Sequence, residues 1–410
     1  MKMLILGGTL FLSREVAATA VHRGHDVTCA ARGTSGTVPA GAALVPVDRD
    51  DPGGLRELAG ERFDSVVDVA TMSLPWVARA LAAFGAGTAH WTFVSSINVY
   101  TDTETPGRST DADLLAPLEV VEPGTDPVTA YGGTKVACED AVRAALGDRA
   151  FLVRPGLITG PGDVKDRFGY WVNRISRGGR IPVPPREQPI QHIDVRDLAD
   201  WIVLAAETGL TGTFDGIAPV TDLGSLLDGI AAAVAPPGTD FVPVDAAALD
   251  AAGVARWAGP DSFPLWAPAT HHGFVSRDAA PSLAAGLRIR PLGDTARAAL
   301  ETERALGFDR PREAGLSTAT EAALLRRRGA GNAPPPPPPP PLTGPDHLSL
   351  ILPFQVSAVV GRCPVSGEAA EQRPPEQADH RRVLSVLLAR TAFSLVAEPL
   401  GKKIPQREER

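Results

Sequence analysis

The chain has 410 residues, of which 44% are hydrophobic and 21% are charged, enough for two domains or one large α/β unit with an ample core. Its formal net charge is −8 and no basic patch occurs before residue 330, so we expect no nucleic-acid partner. No apolar run reaches the roughly 18 residues of a membrane span, and an early glycine pair interrupts the first one. We therefore expect a cytoplasmic protein without membrane contact.

Cysteine and histidine spacing gives no sign of a disulfide framework or a metal site. The three cysteines, Cys29, Cys138 and Cys363, share no motif spacing, which is typical of small buried or incidental residues in a reducing compartment. His271 and His272 are adjacent, with no carboxylate or cysteine at ligand spacing, so we propose no metal.

Short apolar runs alternate with helical patterns through the first part of the chain. The predicted strands are residues 3–6, 26–30, 43–47, 65–70, 90–96 and 150–155, and the predicted helices are residues 11–23, 76–84 and 131–146. Near-continuous apolar strands indicate a sheet that is buried on both faces. Their alternation with helices predicts a doubly wound parallel α/β sheet, Rossmann-like, over residues 1–155. The long polar segment 101–127 is interpreted as a functional lid or entrance rather than a plain connector.

The sequence pattern changes after residue 155: the predicted elements become shorter, Pro-Gly turns appear, and a helix is predicted at residues 195–207. We predict a smaller C-terminal α/β substrate domain over residues 156–328. Eight consecutive prolines, Pro334–Pro341, predict a stiff polyproline II spacer within a linker of residues 329–345. Residues 346–410 are expected to form a loosely ordered tail, with a partner-binding tail as the alternative.

The end of the first strand has features of a dinucleotide site. Gly7 and Gly8 precede a helix, where backbone N–H groups and the helix N-terminus can hold a pyrophosphate. The fingerprint is only partly kept, because Leu10 and Ser13 stand where its second and third glycines would be. A simple strand–turn–helix is the alternative. Ser13 is small enough to permit close helix packing, whereas Leu10 is a real departure.

The ends of the second and third strands bear on the choice of nucleotide. Arg32 follows the second strand without a nearby carboxylate, which favours NADP(H) over NAD(H) because arginine can pair with the 2′-phosphate. Asp48 follows the third strand and either accepts a hydrogen bond from the adenine amino group or caps the next helix.

A proton-transfer set is predicted beyond the fifth strand. That strand ends in Ser95 and Ser96, and Tyr131 and Lys135 stand four residues apart on a following helix. A free tyrosine has a pKa near 10, and a nearby lysine cation and an oxidised nicotinamide would favour its phenolate. Tyr131 could then act as acid or base near neutrality. The alternative is a packed tyrosine and a solvated lysine.

Five motifs in order, GGTLFL, SSINVY, YGGTK, RPGLITGP and IDVRDLA, resemble an extended or atypical short-chain dehydrogenase/reductase of the NAD-dependent epimerase/dehydratase family. The resemblance covers about residues 1–328 and implies Ser96, Tyr131 and Lys135 as catalytic residues. It implies the following cofactor-binding residues: Gly7, Gly8, Thr9, Phe11, Leu12, Arg32, Asp48, Ala70, Ser95, Tyr131, Lys135 and Pro155. Candidate substrate residues are Asn98, Arg167, Tyr170 and Trp171, with a packing cluster as the alternative for the last three. A homodimer through helices of the first domain is possible for such a chain.

One departure from the family pattern bears on the substrate. Leu157 stands where nucleotide-sugar enzymes of this family usually carry an asparagine, which argues for a less polar small-molecule substrate. We therefore expect an NAD(P)-dependent oxidoreductase acting on a carbonyl or alcohol of a small metabolite. An epimerase or dehydratase that retains its nucleotide is the first alternative, and a non-catalytic NADP-sensing or RNA-binding relative is the second. His192 is expected to be structural, with Asp194 and Asp197 capping or bracing the helix that follows.

Overall fold

The computed structural model describes residues 1–163 and 165–329, with side chains up to residue 326. The proline run, the tail and Cys363 lie outside the described residues. The described strands are, in chain order, β1 (Lys2–Leu6), β2 (Asp26–Ala31), β3 (Ala43–Pro46), β4 (Ser65–Asp68), β5 (His90–Val94), β6 (Ala150–Pro155), β7 (Ile158–Thr159), β8 (Arg180–Val183), β9 (Pro189–Ile190), β10 (Ile193–Asp194), β11 (Gly212–Gly216), β12 (Thr221–Asp222), β13 (Asp240–Pro243), β14 (Ala255–Trp257) and β15 (Ser262–Pro264).

A seven-stranded parallel sheet forms the centre of the molecule, in the order β11-β6-β5-β4-β1-β2-β3. Every residue of β4, β5 and β6 is buried, because helices cover both faces of the sheet. The predicted Rossmann-like class is confirmed. The six predicted strands are all present, and β11, from the later part of the chain, joins the same sheet beside β6. The domain boundary at residue 155 stays a prediction.

Ten α-helices occur in the described residues, and the four that were predicted begin and end close to the predicted positions. They are α1 (Phe11–His22), α2 (Leu74–Phe84), α3 (Pro127–Leu146), α4 (Arg167–Ser176), α5 (Val195–Thr208), α6 (Leu223–Val234), α7 (Ala246–Ala251), α8 (Ala280–Ala284), α9 (Leu292–Leu306) and α10 (Thr318–Gly329). The largest difference is at α3, which starts four residues before the predicted Tyr131. The Asp126 carboxylate accepts the Thr129 N–H at 2.9 Å and proline occupies the first turn, a combination that fixes a helix start.

Two layers of helices sandwich the sheet. Helices α1 and α5 pack together on one face, and α2 packs with α3 on the other. The α5 layer is anchored by aromatic rings, with Phe151 of β6 and Trp201 of α5 in an edge-to-face contact at 5.1 Å. Such contacts stabilise beyond the area they bury. No helix in the described part of the chain is both long and apolar enough to cross a membrane.

Apart from α5 and β11, which belong to the central sheet and its helix layer, the described chain after β6 packs around α4, α6 and α9. Trp171 lies at its centre: the ring is stacked on Phe263 at 5.7 Å, and Nε1 donates to the Pro264 carbonyl at 2.7 Å. Its strands outside the main sheet are short two-stranded pairs. This part therefore depends on side-chain packing more than on a continuous hydrogen-bond ladder.

Candidate active site

The loop after β1 is shaped by its two glycines. Gly8 has φ +104°, and a Cβ added there would lie 2.4 Å from the Cys29 sulfur, so only glycine fits without a shift. A Cβ on Gly7 would lie 3.1 Å from the Ser13 Cβ, so Ser13 packs closely here as its small size predicts. The N-cap residue of α1, Leu10, forms no side-chain cap. The first-turn N–H groups of α1 therefore have no competing side-chain acceptor from this position.

The predicted cofactor residues gather at one edge of the sheet. Because the strands are parallel, their carboxyl ends meet at this edge. Thr9, Phe11 and Leu12 lie between β1 and the first turns of α1, Ala70 follows β4, Ser95 follows β5, and Pro155 ends β6.

Arg32 and Asp48 occupy exposed positions at the same edge. Arg32 directly follows β2. The Asp48 carboxylate accepts the Asp50 N–H at 2.9 Å in a local turn, and Ser73, not Asp48, is the N-cap of α2. The alternative of Asp48 as a helix cap is therefore wrong, because the short 3-10 helix that follows β3, Arg56–Leu58, has Leu55 as its N-cap. Its predicted contact with adenine stays a prediction.

Lys135 is buried and its ammonium is held by backbone. Nζ donates to the carbonyl oxygens of Ala70 at 2.5 Å and Val94 at 2.8 Å, beyond the ends of β4 and β5. Burial lowers the pKa of Lys135 to about 8, although nearby acidic groups raise it in part. The lysine thus fixes α3 against the carboxyl ends of two sheet strands. The alternative of a solvated lysine is excluded.

Tyr131 lies one turn before Lys135 on α3 and is completely buried. Lys135 Nζ is 5.8 Å from the centre of its ring. No hydrogen bond to Tyr131 Oη occurs within the described residues. The Ser96 hydroxyl lies close enough to influence the phenol, and it donates to Asn98 Oδ1 at 2.9 Å while accepting the Asn98 N–H at 3.2 Å. Ser96, Tyr131 and Lys135 are therefore brought together as the spacing predicts.

The pKa of Tyr131 depends on its burial. Burial raises the pKa of Tyr131, and the neighbouring Ser96 hydroxyl lowers it only in part. Burial has this effect because the phenolate would lose its hydration. Burial, which the sequence argument left out, favours the protonated phenol; the phenolate favoured by the lysine and an oxidised nicotinamide stays a prediction. A protonated phenol is set up to donate a proton.

Two glycines of the YGGTK segment have a structural reason that the sequence argument missed. A Cβ on Gly132 would lie 2.2 Å from the Asn98 carbonyl, and one on Gly133 would lie 2.6 Å from Leu118 Cγ. The polar segment 101–127 therefore packs directly on the first turns of α3. It is also tied to residues 273–278 by backbone hydrogen bonds. Its predicted role as a lid or entrance stays a prediction.

A buried ionic network behind the site was also missed. Glu139, one turn after Lys135, accepts two hydrogen bonds from Arg154 at 2.9 and 2.7 Å. Arg154 also donates to the Tyr100 hydroxyl at 2.8 Å, which in turn donates to Asp215 at 2.6 Å. Arg277 donates to the second oxygen of Asp215 at 2.8 Å. The only sequence signal was a charged residue inside the apolar strand β6.

The network holds its carboxylates in different ways. Burial would raise the pKa of Glu139, but the Arg154 guanidinium lowers it below its usual range. Burial raises the pKa of Asp215 despite Arg277. The network joins α3, β6 and β11, so it positions the helix that carries Tyr131 and Lys135.

The four candidate substrate residues lie in different places in the structure rather than around one pocket. Asn98 lines a cavity of about 140 Å³ with Thr129 and His271. Arg167 lines a second, narrow cavity, next to Ile97. Tyr170 lines a wide groove of about 780 Å³ that shares no lining residue with either.

Trp171 is fully buried in the core around Phe263. Its predicted place in the substrate pocket is corrected, because its ring and its N–H are both used in packing. Tyr170 packs in the same core while lining the separate groove.

The residues after β10 act as expected. Asp194 is the N-cap of α5 and accepts the Arg196 N–H at 2.8 Å, and Asp197 braces Arg290 by accepting its N–H at 2.9 Å. His192 Nδ1 is 3.0 Å from the Thr159 hydroxyl, and burial lowers the His192 pKa to about 4. Within the described residues, no three His, Cys, Asp or Glu side chains are grouped to hold a metal ion.

Comparison with known proteins connects this geometry to a family. The model of the NAD dependent epimerase/dehydratase family matches residues 3–214. A UDP-glucose 4-epimerase of Corynebacterium glutamicum is 27% identical over 248 residues, which are 52% of this chain and 73% of that relative.

Two solved structures share the fold. The Bordetella bronchiseptica enzyme WbmH in complex with NAD+ has a TM-score of 0.54 at 18% identity, over 74% of this chain and 98% of that one. The UDP-glucose 4-epimerase of Thermus thermophilus, in complex with NAD, has a TM-score of 0.52 at 16% identity, over 75% of this chain and 100% of that one.

Proposed function

The chain belongs to the NAD dependent epimerase/dehydratase family, and from this premise we propose that it is a nicotinamide-dependent oxidoreductase. Its reaction is the reduction of a carbonyl, or the oxidation of an alcohol, on a small metabolite. One observation carries the proposal: the buried Tyr131 hydroxyl has no hydrogen-bond partner among the described residues, and it lies beside Ser96 and one turn from Lys135. A buried polar group without a partner needs an explanation, and here the position of the hydroxyl beside Ser96 and Lys135 indicates a catalytic one.

The residues at the sheet edge fit a nicotinamide dinucleotide. Gly8 lets the backbone turn tightly against Cys29, and the uncapped N-terminus of α1 offers N–H donors for a pyrophosphate. NADP(H) is favoured over NAD(H) because Arg32 follows β2 and can pair with a 2′-phosphate. The two solved complexes named above contain NAD+ and NAD, so the phosphate preference rests on Arg32 alone.

A bound nicotinamide supplies or accepts the hydride. In the direction of reduction, Tyr131 Oη donates a proton to the developing alkoxide oxygen, and its raised pKa keeps that proton available at neutral pH. Ser96 polarises the carbonyl when its hydroxyl proton turns from Asn98 Oδ1 to the substrate oxygen, while the Asn98 N–H still donates to the Ser96 oxygen. Lys135, held by two carbonyl groups, keeps a positive charge near the phenol that stabilises the phenolate left behind.

A nucleotide-retaining epimerase is the second candidate. The relative from Corynebacterium glutamicum is a UDP-glucose 4-epimerase, and the same tyrosine could move a proton in both half-reactions. Against a nucleotide sugar, Leu157 lines a narrow cavity together with Ile97, Ile217 and Phe274. The Leu157 side chain offers a sugar hydroxyl or a diphosphate no hydrogen-bond partner at the position where an asparagine would.

The test is a titration with NADPH and NADH, followed by turnover against a panel of ketones and aldehydes. Tyr131→Phe should keep nucleotide binding, read by nicotinamide fluorescence, while kcat falls by about 10²–10⁴-fold through loss of the general acid. Tyr170→Phe is the matched control, since Tyr170 is also a buried tyrosine whose hydroxyl has no partner in the described part of the chain. It should leave kcat within a few-fold.

The outcomes separate the candidates. Undiminished turnover in Tyr131→Phe would contradict the proposed acid. Nucleotide that co-purifies tightly, with epimerisation but no net NADPH oxidation, would favour the epimerase. Failure of both nucleotides to bind would mean that Leu10 and Ser13 disable the loop, and a non-catalytic role would take the lead.

A further inference from the structure

A narrow cavity lies directly beside the proposed catalytic residues. Its lining includes Ile97, the residue after Ser96, and Gly156, the residue after Pro155. Two buried side chains of its wall, Arg167 and Trp257, are 4% exposed each and carry N–H donors without a partner among the described residues. Buried donors are almost always paired in proteins, so two of them on one cavity need an explanation.

Of these two unpartnered donors, the one on Arg167 is the stronger indication of a ligand, because it belongs to a charged group. Its Nε has no hydrogen-bond partner in the described residues, and the electrostatic influences that raise its pKa come from Asp163 and Glu313, while burial lowers it. Neither carboxylate forms an ion pair with Arg167 within the described residues: Asp163 accepts the Lys165 N–H through Oδ1 at 2.9 Å while its Oδ2 has no partner there, and Glu313 is paired with the Lys165 ammonium at 2.9 Å. A buried guanidinium without a counter-ion in contact is costly.

Trp257 supplies the second donor and is held in an unusual conformation. The centre of its ring is 5.8 Å from the Arg167 guanidinium carbon, and its Nε1 has no partner in the described part of the chain. Its φ is +70°, which is rare for a bulky residue and costs about 1–3 kcal/mol. Strain of this kind is typical of ligand sites, where it fixes a side chain in position.

We propose that this cavity binds a carboxylate group of the substrate, with the Arg167 guanidinium and the Trp257 indole N–H as its recognition groups. The inference rests on the proposed function, because it names the substrate class of the same site. It makes the substrate a small, otherwise apolar carboxylic acid that carries the reacting carbonyl or alcohol.

A carboxylate fits better than a phosphate or a neutral group. Among the described residues that line the wall, Arg167 is the one cation, which balances a single negative charge, and guanidinium geometry suits a planar carboxylate. The remaining polar side chain, Gln191, is fully used by hydrogen bonds to Ala218 and Arg277. A phosphate dianion would lack the donors it needs.

The cavity must widen when a ligand enters. Its wall is mostly apolar, and Phe274 lines both this cavity and the neighbouring one beside Asn98 and Thr129. On this proposal the Phe274 side chain moves aside when a ligand enters, which joins the two spaces. The joined space would extend from Arg167 to the first turn of α3, the turn that precedes Tyr131.

The experiment compares a carboxylate with its neutral isostere on the full chain. Isovalerate and isovaleramide are titrated by calorimetry into wild type, Arg167→Met and Trp257→Phe, without nucleotide. We expect wild type to bind isovalerate at least about tenfold tighter than isovaleramide, because a hydrogen bond to a charged group is lost in the amide. Arg167→Met should lose this preference, and Trp257→Phe should weaken isovalerate binding a few-fold.

Thermal unfolding of the same variants excludes a trivial failure to fold. Arg167→Met should keep or raise the Tm, because it removes a buried charge without a paired partner. A lowered Tm with unchanged isovalerate binding would show that Arg167 is structural and overturn the inference. So would equal affinity for isovalerate and isovaleramide, no measurable binding of either, or tighter binding of inorganic phosphate.

The two proposals can fail separately. Isovalerate selectivity without any nicotinamide binding would leave this inference standing and sink the proposed oxidoreductase. NADPH-dependent turnover of neutral ketones, with no preference for carboxylates and no effect of Arg167→Met, would do the reverse.

Discussion

Lys135 and Arg167 are both almost fully buried cations, one at the carboxyl edge of the central sheet and the other at the start of α4. Lys135 donates to two backbone carbonyl groups, whereas Arg167 Nε has no hydrogen-bond partner within the described residues. A buried charge without a partner is unfavourable until something compensates it. Backbone carbonyl groups at the sheet edge therefore compensate the charge of Lys135. Around α4, by contrast, the proposed carboxylate ligand would compensate the charge of Arg167.

The largest expected effect contrasts two buried carboxylates. Glu139→Gln breaks the ion pair with Arg154 and should lower the free energy of unfolding by about 3–5 kcal/mol. Asp163→Asn, the matched control in the α4 part, should change it by less than about 1 kcal/mol. The reason is that burial raises the pKa of Asp163 and its Oδ2 has no partner in the described chain. Urea unfolding measures both changes. Equal losses of stability would contradict the distinction between the paired Glu139 and the unpaired Asp163.

The pH dependence of folding stability extends the comparison to a third buried group, the His192 imidazole. Its folded pKa of about 4 lies below the 6.5 of the free side chain, so the unfolded state binds more protons between these values. Stability should therefore fall as the pH drops from 6.5 to 4, by up to about 3 kcal/mol. His192→Gln should remove that slope, whereas His22→Gln, at an exposed position on α1, should keep it. Parallel slopes in all three proteins would exclude His192 as the source.

A smaller effect tests whether the loop after β1 already has the conformation that binds the nucleotide. Gly8→Ala places a Cβ against the Cys29 sulfur at a positive φ, which should cost about 1–3 kcal/mol and weaken nucleotide binding. Gly24→Ala is the control, with φ +82° and open space around it. Denaturation and NADPH titration of both variants separate crowding from backbone strain. If Gly8→Ala and Gly24→Ala lost the same stability and the same nucleotide affinity, the loop after β1 would have shifted to accommodate the added Cβ. The cavity beside Arg167 is expected to shift in a similar way when a ligand enters.

The smallest effect concerns the nucleotide. Arg32→Ala should reduce the ratio of NADPH to NADH affinity by about tenfold, through loss of one charge-assisted contact to the 2′-phosphate. Arg62→Ala is the control, because Arg62 precedes β4 and lies toward the opposite end of the sheet. An unchanged ratio in Arg32→Ala would remove the argument for NADP(H) and leave the choice of nucleotide open.

Sequence pattern was sufficient where the determining contacts are local. The apolar runs predicted six strands of the sheet, and the four-residue spacing of Tyr131 and Lys135 predicted their common helix face. Gly7 and Gly8 marked the loop after β1. Each of these rests on strand or helix periodicity, or on a backbone conformation that only glycine adopts easily.

Tertiary structure decided the rest, because its contacts join residues far apart in the chain. Arg154 meets Glu139 across 15 positions and Arg277 meets Asp215 across 62, and no periodicity links such pairs. The raised pKa of Tyr131 also has its cause there, since it follows from burial of the phenol. Arg167 and Trp257 came from separate segments to one cavity wall, whereas Trp171, on the same helix as Arg167, went to the core. Local spacing places a residue on an element, but only packing determines which buried groups find partners and which are left for a ligand.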